Sequence, residues 1–188
     1  MKNRKRNRLK NYDYAQAGYY FVTVCAQNRE ECFGKIVDSQ MILNSCGAIA
    51  QTCWFDLPNH YHHCGLDEFI IMPNHIHGIV MIKNDVGTGF KPVPTYRRHS
   101  LSEIIRGFKT FSSKKINASG RKIRFHWQRS FYDSIIRNKK SLNTIREYMR
   151  NNPLRWEFDR NNPRNSRTAH PAGSEHDKKF RQNDACPS

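Results

Sequence analysis

Apolar and polar residues follow one another in short segments along the first half of the chain, and this pattern predicts β-strands. Residues 18–27, GYYFVTVCAQ, combine aromatic and β-branched side chains, as strands do. Residues 35–44, KIVDSQMILN, predict a small hairpin or a pair of short edge strands. Residues 66–82, LDEFIIMPNHIHGIVMI, predict two apolar strands that break at Pro73 and Asn74, or one strand that bends there.

Two helices are predicted where apolar residues recur every three or four positions. The first begins at Asn44 or Ser45 as its cap and ends before Pro58. The second begins at Ser100, and Glu103 three residues later completes a capping box. We expect one face of each helix to be buried, and the other face of the second helix to be basic. The predicted buried residues are Cys46, Ile49, Ala50, Cys53, Trp54 and Leu57 in the first helix, and Leu101, Ile104, Ile105, Phe108 and Phe111 in the second.

The pattern changes twice more toward the C-terminus. Between Ile123 and Phe131, apolar residues alternate with polar ones, which predicts a strand with one polar face. From Ser141 to about Asn151 the helical spacing returns, and Pro153 closes this last helix. The predicted polar face of the strand consists of Arg124, His126, Gln128 and Ser130.

Taken in order, these elements predict a single α+β domain. The succession of strand, helix, strand, strand, helix, strand and helix is that of a ferredoxin-like or RRM-like antiparallel sheet with one helix added. We expect this domain to span residues 1–158, with a basic arm at residues 1–14 and a Gly- and Pro-rich loop or flap at residues 84–98. Residues 159–188 are rich in Asn, Arg and Ser, and they predict a disordered basic tail.

The charge of the chain narrows the class of partner. The 188 residues include 32 Lys and Arg against 16 Asp and Glu, a net charge of +16, and such an excess attracts polyanions. No apolar stretch approaches the roughly 18 residues of a membrane span, and the N-terminal segment lacks the hydrophobic region of a signal peptide. We therefore expect a cytosolic protein whose partner is nucleic acid and not a membrane.

The cysteines do not predict disulfides or a zinc finger. The six cysteines show no CxxC pair, so we expect reduced thiols, most of them small core residues. The segment HYHHC, residues 60–64, offers zinc ligands, but a second Cys/His pair at zinc-finger spacing is missing. A polar loop between a helix and a strand is the favoured interpretation of this segment.

Two histidines stand one residue apart in the predicted strand that follows Pro73. Side chains alternate between the faces of a strand, so His75 and His77 point one way while Ile76 and Gly78 point the other. Two neutral imidazoles on a rigid strand can converge on one divalent ion. The alternative is a pair of core or edge histidines that bond to backbone carbonyls. For a pair on one face of a basic protein, we favour metal ligands.

A metal site needs at least one further ligand, and the last predicted helix offers a candidate. Tyr148 and Asn152 lie four residues apart on one flank of its apolar stripe. The amide oxygen of Asn152 would suit a hard ion such as Mg²⁺ or Mn²⁺. The structural alternatives are a tyrosine at the core boundary and an asparagine that caps the helix before Pro153. Composition and spacing alone favour these alternatives.

Four motifs together resemble a known family. They are MPNHIH (72–77), YMRNNP (148–153), DYAQAGYYFVTV (13–24) and FHWQRSFYDSIIRN (125–138). With the predicted order of strands and helices, they closely resemble the single-tyrosine HUH transposases of the IS200-like group, specifically the REP-associated tyrosine transposases. HUH denotes His-hydrophobic-His, which here is His75-Ile76-His77. The resemblance covers about residues 10–158.

The resemblance implies a HUH endonuclease fold and a metal-dependent transposase. Such an enzyme cleaves and rejoins single-stranded, hairpin-forming DNA through a 5′-phosphotyrosine intermediate. His75 and His77 would hold Mg²⁺ or Mn²⁺, Asn152 would be the third metal ligand, and Tyr148 would be the nucleophile. The resemblance also implies a bacterial, nucleoid-associated protein, and a monomer or a homodimer is expected. The residue pattern itself offers Tyr132 as a rival nucleophile, because it lies on the predicted polar face with His126 and Gln128.

Substrate binding is predicted from charge and from aromatic residues, because basic residues can line a phosphate track and exposed rings can stack unpaired bases. Two other functions stay open. One is a non-catalytic RRM-like nucleic-acid-binding protein, and the other is a zinc hydrolase that uses the two histidines and a residue of HYHHC. The predicted DNA-binding residues are Arg4, Lys5, Arg6, Arg8, Tyr12, Tyr96, Arg97, Arg98, Arg106, Lys109, Arg124, His126 and Gln128.

Overall fold

A computed structural model describes residues 12–84 and 98–165 of the chain. Within these residues, six strands and four α-helices follow the predicted order, to which the short second helix is an addition. The strands are β1 (Gly18–Cys25), β2 (Gly34–Val37), β3 (Gln40–Leu43), β4 (Cys64–Met72), β5 (His75–Ile82) and β6 (Tyr132–Ile136). The helices are α1 (Ser45–Phe55), α2 (Leu57–His60), α3 (Leu101–Ala118) and α4 (Lys139–Arg150), with 3₁₀ helices at Gln27–Arg29 and Pro153–Phe158.

Four strands form one antiparallel sheet in the order β4-β5-β1-β6, and β2 and β3 form a separate hairpin. The predicted α+β fold class is therefore confirmed. The segment around Pro73 and Asn74 is a tight turn between two strands, which is the first of the two alternatives. The inner strands, β5 and β1, are almost continuously apolar because both of their faces are covered.

The two faces of the sheet have different coverings. On one face, Ile76 and Val80 of β5 join a core cluster with Trp54 of α1 and Phe108 of α3. Gly78 also lies on this face, and it has no side chain because a Cβ atom there would collide with the indole ring of Trp54. The opposite face of β5 lies under α4, in a second cluster whose buried members are Phe21, Ile79, Ile136, Leu142, Ile145 and Met149. The histidines share this second face with Ile79.

The predicted strand between Ile123 and Phe131 is wrong, since the strand begins only at Tyr132 and a single bridge joins Trp127 to Ala26, the residue after β1. The side chain of Asn117 replaces a strand partner. Its Nδ2 donates to the oxygen of Phe125 at 3.0 Å, and its Oδ1 accepts from the nitrogen of Phe125 at 2.7 Å. Side-chain hydrogen bonds of this kind compete with sheet ladders. The apolar positions of the alternating pattern, Phe125 and Trp127, are therefore buried although the segment is not a strand.

Residues 159–165 belong to the fold, although the sequence assigned them to a disordered tail. Asn162 is buried, and its Nδ2 donates to the oxygen of Trp156 at 3.0 Å. Asn165 Nδ2 donates to the oxygen of Asp159 at 3.0 Å. Asparagine side chains satisfy backbone carbonyls here, so the polar composition that predicted disorder instead fixes a turn. These contacts extend the fold past the predicted boundary at residue 158.

Several predictions concern residues outside the described ranges. They are the basic arm up to residue 11, most of the flap, the tail beyond residue 165, and the DNA-binding roles of Arg4, Lys5, Arg6, Arg8, Tyr96 and Arg97. Within the described residues, no helix combines the length and the apolar character needed to cross a membrane.

Candidate active site

Two buried histidines lie side by side at the start of β5. The exposed fractions of His75 and His77 are 0% and 2%. Their Nε2 atoms are 3.0 Å apart, and their ring centroids are 4.6 Å apart. The predicted shared face is confirmed, and two ring nitrogens converge beneath α4.

Asn74 fixes the orientation of His75. Its Nδ2 donates to the backbone oxygens of Asn161 at 2.7 Å and Arg29 at 3.1 Å. Its Oδ1 therefore accepts from His75 Nδ1, at 2.8 Å. With its proton on Nδ1, His75 keeps the Nε2 lone pair for a metal ion. Burial, with the nearby charges of Arg160 and Arg29, lowers the pKa of His75 to about 3, so the imidazole is neutral at neutral pH.

The partner of His77 is less restrictive. Thr23 Oγ1 lies 2.8 Å from His77 Nδ1, and a hydroxyl can either donate or accept. His77 can thus donate from Nε2 to His75, or donate from Nδ1 to Thr23 and present its own Nε2 lone pair. Burial and the adjacent His75 lower the pKa of His77 well below its usual value. A metal ion requires the second arrangement, and Thr23 permits it.

Replacing Asn74 by leucine is expected to weaken Mn²⁺ binding by about 10- to 100-fold, the usual effect of losing a partner that orients a ligand. The variant removes the oxygen that holds the His75 proton on Nδ1. Binding is measured by Mn²⁺ titration, and ¹⁵N NMR reports the tautomer of His75. Asn74→Asp keeps an acceptor oxygen and should retain the Nδ1–H tautomer. A folded Asn74→Leu protein with unchanged affinity and tautomer would contradict this role.

A carboxylate from the C-terminal segment completes a candidate metal group. Asp159 Oδ2 lies 3.8 Å from His75 Nε2, and the Asp159 side chain is only 7% exposed. The ligand atoms of His75, His77 and Asp159 all lie within 4.8 Å of one another. Asp159 Oδ1 accepts from the nitrogen of Asn161 at 2.6 Å, which holds the carboxylate in place. Two imidazole nitrogens and a carboxylate oxygen are a donor set that divalent metals accept. Sequence reasoning missed Asp159 because it lay in the predicted tail.

Asn152, the predicted third ligand, lies in the turn between α4 and the second 3₁₀ helix. Its side chain is buried, and its Nδ2 has no hydrogen-bond partner in the described part of the chain. Few buried amides lack a partner. The oxygen and nitrogen of an amide can exchange places with little change of shape, so an oxygen can occupy the unpaired position. A role for Asn152 as metal ligand remains a prediction.

Tyr148 lies on α4 above the histidine pair. The apolar positions Leu142, Ile145 and Met149 bury one stripe of the helix, and Tyr148 is half-buried at the edge of that stripe. Its ring centroid is 5.6 Å from that of His77 and 6.2 Å from that of Phe21. The fold therefore brings the predicted nucleophile and the two predicted metal ligands together across 71 positions of sequence, from 77 to 148.

Two bidentate ion pairs hold α4 against β4. Arg146 Nε and Nη2 donate to the two oxygens of Asp67 at 2.7 and 2.5 Å. Arg150 Nε and Nη2 donate to the two oxygens of Glu68 at 3.2 and 2.8 Å. A bulge in the β4–β5 ladder falls at these two acidic residues. The pairs therefore fix the position of the helix that carries Tyr148 relative to β4.

Replacing Asp67 by asparagine is expected to lower the free energy of unfolding by about 1 kcal/mol, since the pair is bidentate but partly exposed. The hydrogen bonds from Arg146 hold the pKa of Asp67 below its usual value. The contribution is therefore complete above the unfolded-state pKa of about 4 and is lost as the pH falls through the folded-state pKa. Urea unfolding of both proteins between pH 7 and pH 2 should show a difference that shrinks at low pH. A constant difference would contradict this account.

Tyr132, the rival nucleophile, lies on the same face of the sheet as the histidines. In β1, Thr23 pairs with Tyr132 on one side and with His77 on the other. One strand therefore separates Tyr132 from His77, which places their backbones about 10 Å apart. Tyr148 is the better placed of the two rings.

Five of the predicted DNA-binding residues line one groove between α3 and residues 124–129, with a volume of about 550 Å³. We call it the basic groove. Gln128 N donates to the oxygen of Cys25 at 2.8 Å, and Cys25 pairs with His75 across the sheet. One wall of the groove therefore adjoins the histidine end of the sheet. The five residues are Arg106, Lys109, Arg124, His126 and Gln128, and Lys114 and Arg129 join them.

Lys109 supports one wall of the basic groove. Its Nζ donates to the backbone oxygens of Gln128, Arg129 and Ser130 at 2.6, 3.2 and 3.3 Å. These acceptors use all three ammonium protons. Burial lowers the pKa of Lys109 to about 8. A direct contact of Lys109 with DNA remains a prediction.

Two further predicted DNA-binding residues lie elsewhere. Tyr12 packs edge-on against Tyr14 and Tyr20, and its hydroxyl lies 3.3 Å from that of Tyr20. It is therefore a member of an aromatic cluster beside the core. Arg98 lies before the N-terminus of α3. Neither residue lines the basic groove.

The HYHHC segment does not gather a zinc site. His63 Nε2 lies 2.9 Å from the backbone oxygen of His99, and Cys64 is buried. Among residues 12–84 and 98–165, the group that could hold a metal ion is that of His75, His77 and Asp159. The cysteines between positions 25 and 64 are free thiols, as predicted.

Comparisons with known proteins agree with this architecture. A solved structure of the REP-associated tyrosine transposase bound to a REP hairpin shares the fold, with a TM-score of 0.53, 19% sequence identity and coverage of 81% of this chain and 75% of that one. An uncharacterized protein of Haemophilus influenzae is 38% identical over 167 residues, which are 84% of this chain and 92% of the relative. A family model described as "Transposase IS200 like" matches residues 92–152.

The matched region contains α3, β6 and the helix that carries Tyr148. The fold is thus that of a tyrosine transposase domain. The chain matches the IS200-like transposase family over residues 92–152. This match supports a transposase role, which implies DNA-cleaving enzyme activity.

Proposed function

We propose that this chain is a metal-dependent endonuclease and strand transferase that cleaves and rejoins single-stranded, hairpin-forming DNA through a 5′-phosphotyrosine at Tyr148. The observation that carries the proposal is the Tyr148 ring, 5.6 Å from the ring of the buried His77. The net charge of +16 and the basic groove favour a DNA substrate. A hairpin is proposed because the similar solved structure is bound to a REP hairpin.

The proposed reaction exchanges one phosphate ester for another. The oxygen of Tyr148 attacks phosphorus and loses its proton, the bond to the 3′ oxygen breaks, and that oxygen takes up a proton to become a 3′-hydroxyl. The energy of the broken ester is kept in the tyrosine ester, so the reverse attack rejoins strands. The ordinary pKa of tyrosine is about 10, so the phenol is mostly protonated at neutral pH and is a poor nucleophile without activation of the phosphate. A bound Mg²⁺ or Mn²⁺ would supply it by polarising the phosphate oxygens and stabilising charge at phosphorus.

The chain's own residues have separate tasks in this scheme. His75 and His77 are neutral at neutral pH and would hold the ion through Nε2, with Asp159 and Asn152 as oxygen ligands. Asn74 holds the proton of His75 on Nδ1, and Thr23 permits the same tautomer of His77. The ion pairs of α4 fix the helix that carries Tyr148 against β4.

Hairpin oligonucleotides with randomised single-stranded flanks test this function. With Mg²⁺, a label on the 3′ end should migrate with the protein on a denaturing gel, because the downstream strand carries the 5′-phosphotyrosine. A label on the 5′ end should appear in a shortened free strand. EDTA should abolish both products. Tight, EDTA-insensitive binding without an adduct would overturn the proposal in favour of a non-catalytic nucleic-acid-binding protein.

Mn²⁺ titration also separates the two candidate oxygen ligands. Asp159→Asn and Asn152→Ala are each expected to weaken binding by at least about tenfold, since each removes one ligand oxygen or its charge. Asn143→Ala is a matched control because Asn143 is exposed on α4 and bonds only to Arg146 among the contacts resolved for it. A folded variant with the affinity of the control would remove its residue from the ligand set.

A further inference from the structure

A second groove adjoins the basic groove along α3. It has a volume of about 300 Å³, and we call it the aromatic groove. Arg106 and Thr110, one helical turn apart, line both grooves and form the ridge between them. Any strand in the basic groove therefore meets the aromatic groove at Arg106. The groove's full lining is Tyr61, His99, Glu103, Arg106, Gly107, Thr110 and Phe111.

The aromatic groove contains an exposed ring that the helical pattern placed in the core. Phe111 is 44% exposed. Its ring stacks on that of His60, with centroids 5.1 Å apart and an interplanar angle of 17°. Part of the ring is therefore open to a ligand in the groove. The pair of stacked rings offers a flat surface of the kind on which bases stack.

Gly107 shapes the floor of the aromatic groove. A Cβ atom at this position would collide with the hydroxyl of Tyr61. Because Gly107 has no Cβ atom, Tyr61 lies close against α3, where its hydroxyl donates to the backbone oxygen of Glu103 at 3.4 Å. The Tyr61 ring also meets the ring of His99 edge-on, with centroids 5.0 Å apart. The floor and one end of the groove are thus aromatic.

The charges around the aromatic groove favour a phosphate at one end only. Arg106 is exposed on the ridge. The carboxylate of Glu103 is already engaged, since it accepts from the nitrogen and the hydroxyl of Ser100 at 2.9 and 3.1 Å. Asp56 likewise bonds to His60 at 3.0 Å. A cation beside stacked rings matches the two parts of an unpaired nucleotide, its phosphate and its base.

We infer that the aromatic groove is a stacking subsite for one unpaired nucleobase of the DNA strand that occupies the basic groove. The base stacks on Phe111 and the phosphate next to it contacts Arg106. This inference rests on the proposed function, because it takes the basic groove as the DNA track. Paired DNA is not expected to bind in the aromatic groove, since the faces of paired bases are covered by their neighbours in the duplex.

Binding in EDTA tests the subsite without any cleavage. Two oligonucleotides share one hairpin stem, and one of them also carries a single-stranded flank that contains 2-aminopurine. Phe111→Ala should bind the flanked hairpin about tenfold more weakly, the order of one lost stack, and should bind the blunt hairpin as the wild type does. The 2-aminopurine fluorescence should be quenched by the wild type and not by Phe111→Ala. Phe111→Tyr keeps a ring and should retain both properties.

Phe55→Ala is the matched control, since Phe55 is 56% exposed on α1 and lines neither groove. Thermal unfolding identifies variants that have lost their fold. Wild-type affinity of folded Phe111→Ala for the flanked hairpin would overturn the subsite, as would an equal loss on both hairpins. A wild-type protein that binds neither hairpin contradicts the proposed function itself, and with it the inference.

Discussion

Replacing Tyr148 by phenylalanine is expected to reduce formation of the covalent DNA adduct by a factor of at least about 10³, as loss of a nucleophile usually does. The variant keeps the ring that packs against Phe21 and His77 and loses only the oxygen. Its fold and its DNA binding should therefore be unchanged. The measurement is the yield of 3′-labelled DNA that migrates with the protein on a denaturing gel.

Tyr132→Phe is the control for this experiment, because Tyr132 lies on the same face of the sheet, on the other side of β1. It should retain adduct formation within a few-fold of the wild type. If Tyr148→Phe retains the adduct and Tyr132→Phe loses it, the assignment of the nucleophile is wrong, although a tyrosine mechanism survives.

Replacing His77 by alanine is expected to weaken Mn²⁺ binding by more than about 100-fold, since it removes a proposed ligand outright and the loss of an outer-shell partner alone reaches that order. It also leaves Thr23 and His75 without the contacts they make at 2.8 and 3.0 Å. Adduct formation at a fixed Mg²⁺ concentration should fall with the affinity. Isothermal titration with Mn²⁺ checks the first effect and the gel assay the second.

His63→Ala is the matched control for the loss of a buried histidine. His63 is also buried, but it bonds to the backbone oxygen of His99 and does not belong to the group of His75, His77 and Asp159. It should bind Mn²⁺ as the wild type does. Equal affinities of His77→Ala and the wild type would remove the histidine pair from the metal site.

Local patterns predicted the part of the site that local geometry determines. A strand alternates side chains with a period of two, so His75 and His77 had to share a face wherever the strand lay. The apolar stripe of α4 likewise put Tyr148 at its edge. Neither pattern can place a helix over a strand. The contact between Tyr148 and His77 depends on packing between elements far apart in the sequence, and the resemblance to a family suggested it.

Two residues of the site carry no local signal. Asp159 meets His75 across 84 positions, and Asn74 binds Asn161 across 87. The polar composition of residues 159–165 predicted disorder, because composition indicates how much apolar surface a segment can bury. It does not indicate the hydrogen bonds that side chains make to the backbone. The sequence alone therefore did not indicate that Asp159 lies next to the histidines.

Phe111 shows the converse limit. Its helical spacing matches that of Ile104 and Phe108, which are fully buried, so periodicity assigned it to the core. The stripe of a helix is buried only where a neighbour covers it, and near Phe111 the covering side chain is His60, itself exposed. At Phe111 the periodicity therefore identified the apolar stripe, but not which of its positions a neighbour covers.

Mass spectrometry of the trapped protein–DNA adduct tests the central claim most directly. The wild-type protein is incubated with the flanked hairpin and Mg²⁺, the DNA is digested, and the peptide that retains a nucleotide is identified. The account predicts one modified residue, Tyr148, linked to a 5′-phosphate. A nucleotide on Tyr132 or on any other residue, or cleaved DNA without a modified peptide, would contradict it.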